Sequence, residues 1–270
     1  MRHTHIKLQA MLRIIVFSIF LASLSVDACA IDLFKKKEFV PFDYTAWTDT
    51  ARLNSSCGDL PAVYPKSIDG TAVVTGSVAL PGIKGECIFA AAMCHAVETM
   101  NHETEKIEQA DYSGNSFLLF QHDTQGSNNT ETAYSRHTLI ECGDGELRYT
   151  SYDLDARYRE KGIIPRTLPF EKLNPADNPR HRELIEEFSC VNASEVKAMA
   201  DFIKEHPDLM FHNIAAMSKG KVTEGMTELE VKVLLGMPPA ERKSGERTRW
   251  IYSNDLIIIF TDGKVTKVID

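Results

Sequence analysis

Apolar and polar positions divide the chain into a short apolar N-terminal run, a middle of scattered strand signals and a C-terminal stretch of clear periodicity. Ile14–Val26 is an apolar run of 13 residues. A bilayer crossing takes roughly 20 residues, so this run predicts the core of a signal peptide rather than a membrane span. In the middle, Thr71–Leu80 is β-branched, with Gly76 read as a bulge. Cys87–Met100 is Ala- and Met-rich and fits a helix or a buried strand, which periodicity does not separate. Phe117–His122, Tyr134–Glu141 and Leu147–Leu154 alternate as strands, and the short Gly143-Asp144-Gly145 link makes the last two antiparallel neighbours. Gly162–Pro179 holds four prolines and predicts irregular chain. Asn178-Pro179 then opens a helix with Asn178 as cap, and Leu184, Ile185 and Phe188 form its apolar face.

Toward the C-terminus, Ser194–His206 and Pro207–Ser218 read as two helices broken at His206-Pro207. Thr227-Glu228-Leu229-Glu230 is a capping box, in which the Thr227 hydroxyl accepts from the Glu230 N–H while the Glu230 side chain reaches back. Gly236 and Pro238-Pro239 end that helix. Arg249–Ser253, Leu256–Thr261 and Val265–Ile269 follow as strands, joined by turns at Asn254-Asp255 and Asp262-Gly263-Lys264. Strand alternation puts Trp250 and Tyr252 on one face with Ile258 and Phe260. Ile251, Ile257 and Ile259 fall on the other. A solvated sheet face usually alternates to polar residues, so these three isoleucines are the expected partner-binding surface. The fold class expected is α+β, with two modules that each lay helices on one face of an antiparallel sheet.

Composition sharpens the N-terminal reading. The apolar run follows Arg2, Lys7 and Arg13 and precedes Ala28-Cys29-Ala30. Residues 1–30 thus read as an export signal, with Cys29 either lost on cleavage or retained as a lipid anchor in a lipobox-like Val26-Asp27-Ala28-Cys29. The formal net charge of -8 argues against wrapping nucleic acid. The expected location is the periplasm or outer membrane of a Gram-negative bacterium, with membrane contact only through that lipid. Export favours disulfides. Cys142 and Cys190 are the expected staple between sheet and helix, Cys87 and Cys94 a local loop, and Cys57 is left over.

Two resemblances rest on these residues. The meander carrying Ser135 and Glu141-Cys142, then Arg148-Tyr149 and Tyr152-Asp153, with a helix ending Phe188-Ser189-Cys190, resembles the surface-adhesin protein E-like domain over about Tyr112–Val191. That resemblance implies an envelope domain with one disulfide. The run Gly225-Met226-Thr227, Glu230-Val231, Leu234-Leu235-Gly236, Pro238, Trp250, Tyr252 and Phe260, Gly263-Lys264-Val265 is similar to SmpA/OmlA/BamE-type domains. It implies a two-layer, non-enzymatic envelope module akin in plan to β-lactamase-inhibitor-like repeats. The domains expected are a signal at 1–30, an envelope domain at 31–191 and the SmpA/OmlA/BamE-like domain at 192–270.

Chemistry is sparse in the sequence. No nucleophile elbow, phosphate loop or His-Glu-x-x-His is present. Cys94-His95, the set His122-Asp123 with His137, and the pair Asp153 and Asp155 are the nearest approaches to catalytic groups, and each reads better as structural. The expectation is therefore no catalytic, cofactor-binding or metal-binding residue. The expected role is structural or assembly work at the outer membrane through contacts with other envelope proteins. A secreted adhesin or inhibitor-like binder is the alternative, and an envelope hydrolase is the alternative of another class.

Overall fold

The computed structural model describes residues 64–68, 70–125, 132–159, 164–175, 178–252 and 256–270. The signal at 1–30, Cys29, Cys57 and the Asn254-Asp255 turn lie outside the described residues. The fold is α+β, with two antiparallel sheets. The first sheet comprises β1 (Lys66–Ile68), β2 (Thr71–Ala79), β3 (Lys106–Asp111), β4 (Ser116–Gln125), β5 (Thr132–Gly143), β6 (Glu146–Tyr158) and β7 (Arg166–Pro169). Its order is β1-β2-β6-β5-β4-β3, with β7 pairing the far half of β6. On one face lie α1 (Gly85–Thr99) and α2 (Pro179–Glu205). The second sheet, β11-β10-β9-β8, is built from β8 (Ala240–Ser244), β9 (Arg247–Ile251), β10 (Ile257–Thr261) and β11 (Lys264–Ile269). Between α2 and β8 come the short α3 (Ile214–Met217) and α4 (Glu228–Leu235).

Helix α1 resolves the ambiguity at Cys87–Met100. It is buried on nearly every side, which explains why it lacks an amphipathic pattern. Its start is tied to the β5–β6 hairpin, where the Gly85 N–H donates to Asp144 Oδ1 at 2.7 Å. A Cβ at Gly85 would lie 3.0 Å from the Cys142 carbonyl oxygen, so the close approach requires glycine. Phe89 on α1 meets Tyr112, Phe117 and Phe211 edge-to-face at 5.7–6.0 Å. The C-terminal segment is thereby welded into the first core.

Several sequence expectations change. Helix α2 is a single helix of 27 residues and runs unbroken across 191–192, where the sequence reading set a domain boundary. The Asn178 cap holds, with its Oδ1 accepting from Arg180 N–H at 2.9 Å. The proline-rich stretch contributes β7 and a 3-10 turn at Phe170–Lys172. Pro207–Ser218 keeps only the one turn of α3. Gly76 makes no bulge. It pairs in register with Tyr149, whose ring lies across it, and a Cβ there would fall 2.4 Å from the Tyr149 hydroxyl oxygen. The bulge is at Asp153, with φ of 52°, where Ser135 pairs with Asp155 and His137 with Tyr152. That one extra residue keeps Leu147, Tyr149 and Ser151 on the same buried face as Leu154, Ala156 and Tyr158. The Thr227–Glu230 capping box forms as expected.

The two disulfide expectations are corrected. Cys87, Cys94 and Cys142 are free and buried. Cys87 and Cys94 are two helical turns apart on α1, about 10 Å along its axis, beyond the roughly 7 Å that a disulfide spans between Cα atoms. Cys142 ends β5 at the hairpin. Phe188, two residues before Cys190, packs instead on Tyr134, 5.6 Å between rings, near the opposite end of the strand. Eight strand residues separate Tyr134 from Cys142, roughly 27 Å. Cys190 itself is disulfide-bonded, to a partner outside the described residues. Peptide mapping without reduction should therefore recover Cys87, Cys94 and Cys142 as thiols and Cys190 in a disulfide. A Cys142–Cys190 peptide contradicts this arrangement.

Candidate functional site

Two places carry unusual chemistry. One is the outer face of the second sheet. Cross-strand register sets Ala240, Ile251, Ile257 and Ile269 in one row, Arg242, Arg249, Ile259 and Lys267 in the next, and Ser244, Arg247, Thr261 and Lys264 in the third. The opposite face carries Trp250, Ile258, Phe260 and Val265, all buried. There the Lys232 Nζ sits 5.8 Å over the Trp250 ring, and Trp250 Nε1–H donates to Glu241. The expected alternation is thus observed, and Ile251, Ile257 and Ile259 share the outer face as read from sequence. They are half-buried, while Ile269 is exposed.

The sequence reading missed the rows beside them. Five cations (Arg242, Arg247, Arg249, Lys264 and Lys267) stand on this face with no carboxylate among its strand positions. All five are exposed, and none makes an ion pair among the described residues. Arg242 and Arg249 are direct cross-strand partners, a placement that like charges disfavour. The available signal was parity: these cations occupy the same alternate positions as the isoleucines.

The second place lies between the first sheet and α2. Arg136 on β5 points toward the helices and is 0% exposed. Its guanidinium bonds Asp123 on β4 through Nη1 and Glu195 on α2 through Nη2. It also lies 5.5 Å over the Phe188 ring. Burial works against its charge, but Glu195 and Asp123 outweigh that and hold its pKa above the ordinary value. Gln121 Nε2 donates to Glu195 at 3.1 Å, and the Thr138 hydroxyl donates to Gln121 Oε1 at 2.7 Å. Ser151 continues the chain, 3.0 Å from Thr138 and 3.5 Å from Asn192 Oδ1. The cluster borders a cleft of about 310 Å³, whose walls include Ala96, Leu119, Ile140 and Met199.

The weaker sequence candidates are dispersed. Asp123 faces the helices, whereas His122 and His137 sit on the far side of the sheet. His122 Nδ1 is 2.9 Å from Ser135 Oγ. His137 lies between Glu108 at 3.4 Å and Asp153 at 3.3 Å, stacked on Tyr152. Asp155 is raised by burial and then by Asp153. Cys94 is buried and its thiol pushed far up, while burial lowers its neighbour His95.

No protein-family model matches the chain, and no curated protein matches it. Among solved structures, it is similar to a TBP-like protein from Parabacteroides distasonis, at 12% identity and a TM-score of 0.46, over 53% of this chain and 99% of that one. It is also similar to a DUF4468 family protein from Bacteroides ovatus, at 15% identity and a TM-score of 0.42, over 59% and 95%. Likenesses this distant carry no argument about function.

Burial pushes the Glu195 carboxyl up to about 8; Arg136 pulls it down and Asp123 pushes it up again. Between the ordinary value of 4.5 and about 8, the folded chain holds a proton that the unfolded chain has released. This contribution to stability is complete below the unfolded value and is lost as pH rises through 8. Denaturant midpoints should therefore fall from pH 5 to pH 8.5 in the wild type and fall less in Glu195→Gln. Equal falls in both would show that Glu195 keeps its ordinary pKa.

Proposed function

We propose that the chain is a non-enzymatic binding protein of the bacterial envelope and that the outer face of its second sheet docks an acidic partner protein. The carrying observation is the one-sided face: five unpaired cations beside a row of isoleucines, in a chain of net charge -8. An isolated sheet gains nothing from Arg242 opposite Arg249; a carboxylate-bearing partner turns that repulsion into attraction. The export pattern at residues 1–30 and the resemblance of residues 194–270 to SmpA/OmlA/BamE-type modules support an envelope setting.

The shape favours protein over other polyanions. Among the described residues no aromatic side chain stands on this face to stack on bases. Ile251, Ile257 and Ile259 are half-buried rather than projecting, which suits contact with another rigid surface better than insertion into acyl chains. Aliphatic contact and charge pairing on one flat patch are common features of protein interfaces.

The test is a photo-crosslinking residue placed at Ile257 in cells, with Arg148 on the first sheet as control site. Protein adducts are expected from position 257, and Arg249→Glu with Lys267→Glu should cut their yield about tenfold or more. Adducts that survive the charge reversal, or none above the control, overturn the reading. Retention on anionic vesicles without a protein adduct would reassign the face to lipid.

A further inference from the structure

Two β-bulges converge on one imidazole on the outer face of the first sheet. In β3, pairing with β4 passes from Ile107 opposite Leu119 to Gln109 opposite Leu118, so Glu108 is the extra residue. In β6 the bulge is at Asp153. A bulge re-aims a side chain, and both carboxylates are aimed at His137. Glu108 Oε2 lies 3.4 Å from its Nε2, and Asp153 Oδ2 lies 3.3 Å from its Nδ1. We propose that His137 is a proton-operated latch, which fastens the edge strand β3 to the first sheet in mild acid and releases it as pH rises.

The donor inventory of the ring decides the direction. A neutral imidazole carries one N–H and one bare nitrogen, so in either tautomer one carboxylate faces a lone pair. The imidazolium has a proton for each. The flanking rings favour the same form, since aromatic faces attract a cation. Phe120 lies 5.3 Å away between ring centres, and Tyr152 stacks at 5.6 Å and 19°. The other charged groups come from every strand around the ring. On β3, Lys106 sits 2.9 Å from Oε1 of Glu108, leaving Oε2 to the histidine. On β4, His122 Nδ1 is turned to Ser135 Oγ, and its backbone N–H donates to Glu105. On β5, the neighbouring Arg136 points away toward the helices. On β6, burial and then Asp153 raise the Asp155 carboxyl. Burial, then Asp153 and Glu108, raise the Tyr152 phenol, which stays neutral.

Strand β3 is one that such a contact can govern. None of its six residues is buried, and among the described strands it pairs only β4. A strand with so little apolar burial opens locally at small cost. The Asp153 side chain is 63% exposed and well screened by water, whereas Glu108 is 28% exposed, so the Glu108 contact carries the larger share. Histidines change charge between roughly pH 5 and 8. Below that change the contact attracts and β3 is held. Above it a carboxylate meets a bare nitrogen, β3 opens, and the edge of β4 is uncovered for pairing.

Hydrogen–deuterium exchange of the full chain, corrected for the intrinsic effect of pH, reads the latch through the β3 amides. The chain compared carries Glu195→Gln, so that titration of that carboxyl does not contribute. Protection of β3 relative to β5 and β6 should fall about two- to fivefold from pH 5.5 to pH 8. Adding His137→Gln, which gains no charge, should remove the difference between the two pH values. Adding His137→Lys, charged at both, should keep β3 at the higher protection throughout. If Glu195→Gln does not fold, the same variants in the otherwise wild-type chain, again relative to β5 and β6, give the same decision. The latch is overturned if β3 protection does not change with pH, if His137→Gln loses as much as the parent chain, or if His137→Lys does.

Discussion

A guanidinium fully removed from water is the constraint around which the first sheet and its helices are arranged. Burying a lone charge costs several kcal/mol or more, and the cost is met only by close, hydrogen-bonded counter-charges. Arg136 lies mid-strand on β5, so its counter-charges must come from a neighbouring strand and from the layer above. Asp123 on β4 and Glu195 on α2 supply them. Together the three groups specify how far α2 slides along the sheet and which way it faces. Phe188 follows from this placement, since it sits one side of the same guanidinium and packs on Tyr134 and Phe170. The Asp153 bulge lies opposite Arg136 in the ladder, which turns the second half of β6 back into register with the core. An apolar residue at 136 would fill the space with less cost and less specification of where the helix lands.

Much of the C-terminal half was legible because its local rules agree with one another. The Thr227–Glu230 box, the glycine at 236 and the Asp262-Gly263 turn each have one structural reading, and strand parity separated Trp250 from Ile251. The failures have physical causes. β8 reads Ala-Glu-Arg-Lys-Ser and is exposed along its whole length, so no hydrophobic period marks it. α2 passes 191–192 unbroken because Asn192, a polar residue that sequence reading places in a loop, is buried against Ser151. Cysteine spacing could not reveal that Cys142 and Cys190 approach the core from different ends. Arg136 was visible only as an arginine with core parity, between Tyr134 and Thr138, a pattern that looks like a polar-face residue until the helix above it is known.

The two chemical features sit in different parts of the molecule and ask for different things. The second sheet offers positive charge and aliphatic surface over a broad flat area, which suits a macromolecule with carboxylates. The cleft beside Arg136 is narrower, with aliphatic walls and the Asp123–Arg136–Glu195 cluster at one end. The joined core at Phe89, Tyr112 and Phe211 connects the two halves mechanically.

The central claim is that Arg136, Asp123 and Glu195 act as one unit in fixing α2 on the sheet. A double-mutant cycle with Arg136→Met and Glu195→Gln measures it directly through unfolding free energies. The account predicts that Arg136→Met alone is the most damaging change, by about 3–5 kcal/mol, because it leaves the Asp123 carboxylate and the Glu195 carboxyl without the guanidinium that both bond. It predicts that adding Glu195→Gln restores part of that loss, giving a coupling of about 1–3 kcal/mol. Strictly additive effects, with Arg136→Met tolerated as an ordinary surface substitution, would contradict it.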